Sequence, residues 1–203
     1  SEFAMRPFLI RYEKEVLSQL TKWVVDPNED VRRRVSEGTR PRLPWAMKLP
    51  SFVTDPKPTL KVLEVLKDDP SEYVRRSVAN HLNDITKDNP DLAVDVLARW
   101  AKGASKERMW IIRHALRSLI KQGHPKALAI LGFGPPKVKL VKFDVQTPVV
   151  KFGEALLFQF ELESDIKKPQ NLVIDYVIHF KKANGSTSPK VFKLNTRTLD
   201  CGD

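Results

Sequence analysis

The stretch DPNEDVRRRVSEG, Asp26–Gly38, returns as DPSEYVRRSVANH, Asp69–His81, at an offset of 43 residues. A weaker third copy, KERMWIIRHALRSLI, sets Arg113 opposite Arg76 at an offset of 37. Periods near 40 residues with paired helical segments describe stacked helical hairpins, in which each unit buries its apolar face against its neighbours. Each unit is expected to hold a first amphipathic helix, such as Thr59–Lys67 or Leu92–Ala101, and a second that begins near the DP dipeptide.

Working outward, the pattern predicts a HEAT-like α-solenoid over residues 1–131. It stops at GFGPPK, Gly132–Lys137, where two glycines and two prolines in six residues make a natural linker. Residues 138–203 read as strands. KVKLVKFDV alternates with a slip of register after Leu140, and ALLFQFELE and NLVIDYVIHF are β-branched and aromatic. KKANGSTSPKVFKL reads as a hairpin turning at Asn184-Gly185. This composition predicts a small immunoglobulin-like β-sandwich, incomplete because only about 66 residues are present where about 100 are usual.

The chain has 203 residues, 41% apolar and 30% charged, which suits folded domains with a proper core. No run of about 18 apolar residues suggests a membrane span, and SEFAMRPFLIRYEKE lacks the apolar stretch of a signal peptide. One cysteine, Cys201, excludes an internal disulfide and fits a reducing, cytoplasmic setting. The four histidines, His81, His114, His124 and His179, are scattered, so neither a metal nor a cofactor is expected. The net charge of +10 is uneven: 25 Lys and Arg face 17 Asp and Glu before residue 138, against 10 and 8 after it. That excess points to a polyanionic partner for the helical part.

Equivalent positions on successive second helices line up across one face of such a stack, and residues four apart share a ridge. The grid holds Arg33 and Glu37, then Arg76, Asn80 and Asp84, then Arg113, Arg117 and Lys121. Arginines on one surface fit a phosphate backbone. The two acids are out of place there unless they pair with neighbouring arginines or serve another purpose. After Gly38 comes TRPRLPWAMKLP, a long basic loop with Arg40, Arg42, Lys48 and an aromatic, Trp45. A plain connection needs few such residues. Trp45 either packs under the loop or meets a ligand, while Trp23, Trp100 and Trp110 sit at core spacing.

VRRRVSEGTRPRLPWA, with YVRRSVANHLNDITKDNPDL, resembles the AlkC branch of the alkylpurine DNA glycosylases, bacterial relatives of the AlkD family. The resemblance covers nearly the whole chain, including the order of helical part then sandwich. It implies a catalytic role for Asp84, Glu37 and Trp45. It also implies DNA contacts for Arg33, Arg40, Arg42, Lys48, Arg76, Asn80, Arg113 and Arg117. Members carry further repeats ahead of this region, which supply another acid to the pocket.

The implied reaction is hydrolysis of the N-glycosidic bond to a cationic methylated base, such as 3-methyladenine, in duplex DNA. Such a base leaves readily, so the demand falls on stabilising an oxocarbenium-like sugar, which carboxylates meet in glycosidases. No metal is implied, and the expected partner is alkylated double-stranded DNA bound by a monomer. Two other functions fit a solenoid: DNA binding without catalysis, which does not need the acid pair, and protein scaffolding, which calls for an apolar ridge.

Overall fold

The computed structural model describes residues 2–200, so Cys201 lies outside the described residues. The chain divides into two units, Ser1–Leu131 and Gly132–Asp203. The first is helical: α1 (Glu2–Arg11), α2 (Glu13–Trp23), α3 (Glu29–Gly38), α4 (Pro50–Thr54), α5 (Lys57–Leu66), α6 (Glu72–Asp88), α7 (Pro90–Ala101), α8 (Lys106–Ala115), α9 (Arg117–Lys121) and α10 (Pro125–Ile130). Pairs α2/α3, α5/α6 and α7/α8 are the three predicted hairpins, and α3, α6 and α8 pack side by side.

The repeated motif explains its own repetition. In both copies the DP aspartate caps the chain ahead of the second helix: Asp26 Oδ1 accepts from Asn28 N at 2.8 Å, and Asp69 Oδ1 from Ser71 N at 2.9 Å. In both, the first arginine of the VRR run folds back onto the DP carbonyls. Arg32 Nη1 donates to Asp26 O and Pro27 O at 2.9 and 3.0 Å, and Arg75 Nη1 to Asp69 O and Pro70 O at 2.7 and 2.8 Å. Arg32 also forks onto Asp69, with Nε to Oδ2 at 2.6 Å and Nη2 to Oδ1 at 2.9 Å, tying one repeat to the next. The first arginine of each run, Arg32 or Arg75, is thus part of the scaffold rather than of the face.

Val35, Leu63, Val74, Val78, Leu82, Leu97, Ile111 and Ile112 are fully buried between the helices. Each such side chain contributes about 1.5–3 kcal/mol of apolar burial. Trp100 joins this core, its Nε1 donating to Glu64 at 2.6 Å. Trp110 departs from expectation: it is 41% exposed and stacks on His114 at 4.9 Å. Ile111, Ile112 and Ala115 take the inward positions of α8 instead. The third copy also departs, because α8 ends at Ala115 and α9 restarts at Arg117. Arg113, Arg117 and Lys121 therefore do not share one continuous ridge. Gly38, the last residue of α3, lies against α1: a Cβ there would fall 1.9 Å from Cε at the movable tip of Met5.

The second unit has two antiparallel ribbons, β1 (Val138–Val145) with β2 (Phe158–Ser164) and β3 (Gln170–Lys181) with β4 (Thr187–Leu199). The register of β1 shifts between Leu140 and Lys142, where the alternation slips. β3 and β4 join through a turn in which Gly185 takes φ +82° and Asn184 Oδ1 accepts from Ser186 N at 3.1 Å. The ring of Phe158 on β2 meets Tyr176 on β3 at 5.3 Å, joining the ribbons into a small sandwich, and Tyr176 stacks in turn on its cross-strand partner Phe192 at 5.2 Å. Ala155–Leu157, expected within β2, lie outside the strand.

Candidate functional site

The C-terminal end of α3, the loop after it and the middle of α6 converge on Arg40. Its Nη1 donates to Glu37 Oε1 at 2.7 Å, and its Nε to Asp84 Oδ2 at 2.8 Å. Both carboxylates are satisfied further. Ser77 Oγ donates to Glu37 Oε2 at 2.7 Å, Arg33 stands 3.9 Å from the same oxygen, and Lys87 Nζ reaches Asp84 Oδ1 at 3.0 Å. Glu37 is 7% exposed and Asp84 1%. The acids face each other across one guanidinium, but they do not stand on an open ridge as the helical grid suggested. Burial, the largest influence on Arg40, opposes its charge, and the bonds and charges of Asp84 and Glu37 outweigh it, so its pKa lies above the ordinary value.

The loop cations are corrected accordingly. Arg40 is buried between the acids, so it is not placed to meet a phosphate. Arg42 forks onto Asp88 at the end of α6, with contacts of 2.6 and 2.5 Å, which pins the loop and holds the Asp88 carboxyl below the usual range. Lys48 is exposed. Arg76 is exposed and pairs only with Glu72, one turn earlier at 2.8 Å. Arg113 is exposed, whereas Arg117 is half-buried and donates to His114 O at 2.6 Å and Asn80 Oδ1 at 3.1 Å. Arg33 lies 4.3 Å over the ring of Tyr73.

Trp45 does not pack under its loop. It is 99% exposed and is the one non-glycine residue with positive φ, +64°, among the described residues. A left-handed backbone costs a side-chain-bearing residue about 1–2 kcal/mol, so the loop is held in a conformation that throws the indole outward.

The start of the loop borders a cleft of about 220 Å³ lined by Glu2, Phe3, Arg33, Glu37, Arg40, Leu43 and Pro44. Glu2, which the sequence reading did not single out, brings a third carboxylate from α1 and pairs with Arg33 at 2.5 Å. Its own backbone amide and then Arg33 hold its pKa down against partial burial. The signal for it was the spacing Glu2, Arg6, Leu9, one helical face that points at α3 and the loop.

Behind the acids, His81 is fully buried, with Nδ1 2.9 Å from Ser36 O and no partner on Nε2. Burial, the largest influence, lowers its pKa to about 3. The imidazole is therefore neutral, with Nδ1 donating, and supplies no acid to the site. In the unfolded chain it protonates near its ordinary pKa of about 6.5. Below that pH the unfolded state binds more protons, so stability falls by up to about 1.4 kcal/mol per pH unit as the pH drops towards the folded value. Acid melting curves should show this slope, and His81→Gln should flatten it; an unchanged slope in that variant would contradict the assignment.

Among the described residues no cluster of His, Cys, Asp and Glu could hold a metal ion, and no helix is long and apolar enough to cross a membrane.

Residues 2–119 match the model of a family described as DNA alkylation repair enzyme, and residues 139–203 match one described as the C-terminal Ig-like domain of the uncharacterised protein YhaZ. The chain is 44% identical to the uncharacterised YhaZ of Bacillus subtilis strain 168 over 98% of its own length and 55% of that protein. It is similar to a solved alkylpurine DNA glycosylase, AlkC of Pseudomonas fluorescens, bound to DNA containing an abasic site analog. The TM-score is 0.94 at 45% identity, over 99% of this chain and 56% of that one. The chain thus spans about half the length of these two relatives.

Proposed function

This chain belongs to the DNA alkylation repair enzyme family, and from that premise we propose that it is a DNA glycosylase releasing cationic N-methylated bases, such as 3-methyladenine, from duplex DNA. The observation that carries the reading is the cleft at the end of α3, lined by Glu2 and Glu37 and by Leu43 and Pro44 of the loop that carries the exposed Trp45. In the reaction water adds to C1′ of the deoxyribose, the C1′–N bond breaks, and the base leaves with the bonding pair, which neutralises its positive charge. The proton from the water goes to solvent or to a carboxylate. Charge builds on the sugar as the bond breaks, and a fixed anion there lowers the barrier.

In this reading Trp45 lays its π face against the cationic base or its sugar. Arg33, Lys48, Arg76, Asn80, Arg113 and Arg117 hold or flank the backbone. Asp84 supplies negative charge from behind Arg40. Lys87, its other partner, has a side chain 45% accessible. The similarity to an alkylpurine DNA glycosylase of Pseudomonas fluorescens, solved on DNA containing an abasic site analog, supports the same chemistry.

The test is chromatography of bases liberated from methylated duplex. Release of methylated base is expected; retention of the duplex with no release would favour the second reading, DNA binding alone. Arg76→Ala is expected to weaken duplex binding uniformly across sequences and to lower the slope of log affinity against log salt by about one. Unaltered affinity and slope in a salt titration would remove Arg76 from the phosphate contacts.

A further inference from the structure

Among the described residues two arginines are buried, and they are held in opposite ways. Arg40 meets carboxylates. Arg6 of α1, with no exposed surface, donates only to main-chain carbonyls: Nε to Met47 O at 2.6 Å, Nη1 to Arg40 O at 2.9 Å and Gly38 O at 3.3 Å, and Nη2 to Pro41 O at 3.5 Å. These carbonyls sit at the two ends of the loop that carries Trp45. The side chains of Arg40 and Arg42 tie the first half of the loop to α3 and α6, and the rest is held by few backbone bonds: Arg40 N to Glu37 O, Ala46 N to Leu43 O, and Leu49 N to Pro41 O. Without Arg6, buried carbonyls would lose their donor, which the chain avoids by moving. Burial, then the charge of Arg40, lowers the Arg6 pKa to about 10, so it keeps its charge at neutral pH.

We infer that Arg6 is a positioning residue: its guanidinium fixes both ends of the 38–47 loop, and so sets the outward projection of Trp45 and the placement of Arg40 against Glu37 and Asp84. One fork holds the peptide of Arg40 on one side and that of Met47, two residues after Trp45, on the other. A shorter or neutral side chain at position 6 cannot span both. The strained φ of +64° at Trp45 is then maintained by contacts made from a different helix. The consequence for base release rests on the glycosylase reading above, whereas the consequence for the loop does not.

Arg6→Lys and Arg6→Gln, made in the full chain, test this with three measurements: thermal melting, single-turnover base release against affinity for undamaged duplex, and fluorine NMR of fluorotryptophan-labelled protein. The Trp45 signal is identified by its loss in Trp45→Phe. Arg6→Gln is expected to slow base release about tenfold or more, since small misplacements are costly at a reacting centre. It should leave affinity for undamaged duplex within about twofold, and shift or broaden the Trp45 signal while those of Trp23, Trp100 and Trp110 stay in place. Arg6→Lys, which keeps the charge but not the fork, should fall between. A lowered melting temperature with an unmoved Trp45 signal and normal base release would overturn the proposal. If Arg6→Gln does not fold, the same comparison on Arg6→Lys decides. If the parent chain releases no base, the glycosylase reading fails, and the fluorine signal alone decides the role of Arg6.

Discussion

Asp84→Asn is expected to slow the release of methylated base about a hundredfold, the size of effect seen when one preorganised electrostatic group is removed. Affinity for undamaged duplex should stay within about twofold, because Asp84 is 1% exposed and offers nothing to a passing backbone. The substitution keeps the shape and removes the charge. An amide oxygen can still accept from Arg40 Nε, which now contacts Asp84 Oδ2 at 2.8 Å, while the amide nitrogen, a donor only, gives up the bond from Lys87. What is lost is an anion in a poorly solvated setting, where charge acts far more strongly than in water. Single-turnover rates on methylated duplex, beside binding to unmethylated duplex, check this. A normal rate would take Asp84 out of the chemistry.

The second large effect concerns stability. Arg40→Met should cost the helical unit about 3–5 kcal/mol, because two buried carboxylates lose the cation between them. Glu37 would keep Ser77 and the more distant Arg33, and Asp84 would keep Lys87. Adding Glu37→Gln should recover part of the loss, since one buried charge then replaces two. Denaturant titration of the single and double variants gives the coupling directly. A single variant as stable as the parent would mean that solvent reaches these acids and that Arg40 does not hold them.

Much of the architecture could be read from residues alone. The DP and VRR pairs mark two hairpins because each copy makes the same local bonds. The slip after Leu140 and the Asn184-Gly185 turn are likewise local. What was not legible is where the loop cations point. Arg40 finds Asp84 forty-four residues away, and Arg42 finds Asp88 forty-six away. No local rule specifies partners at such separations. The i,i+4 rule did anticipate Arg33 beside Glu37, but that contact is 3.9 Å, while Arg40, beyond the end of α3, is at 2.7 Å. Helical spacing marked Trp110 as core, yet its neighbours Ile111 and Ile112 took the inward face. Arg6 reads in sequence as one more surface cation, because a charge satisfied by main-chain carbonyls leaves no mark on residue type.

The central claim is electrostatic: Glu37 at the end of α3 and Asp84 of α6, behind Arg40, stabilise the sugar as it becomes positive. The most direct measurement compares affinity for duplex containing a cationic pyrrolidine abasic analogue with affinity for the same duplex containing a neutral tetrahydrofuran analogue, at low salt. We predict that the chain prefers the cationic analogue by about tenfold or more, as expected for a transition-state mimic, and that Glu37→Gln and Asp84→Asn each erode the preference. Equal affinity for the two analogues, or a preference that survives in both variants, would contradict the account.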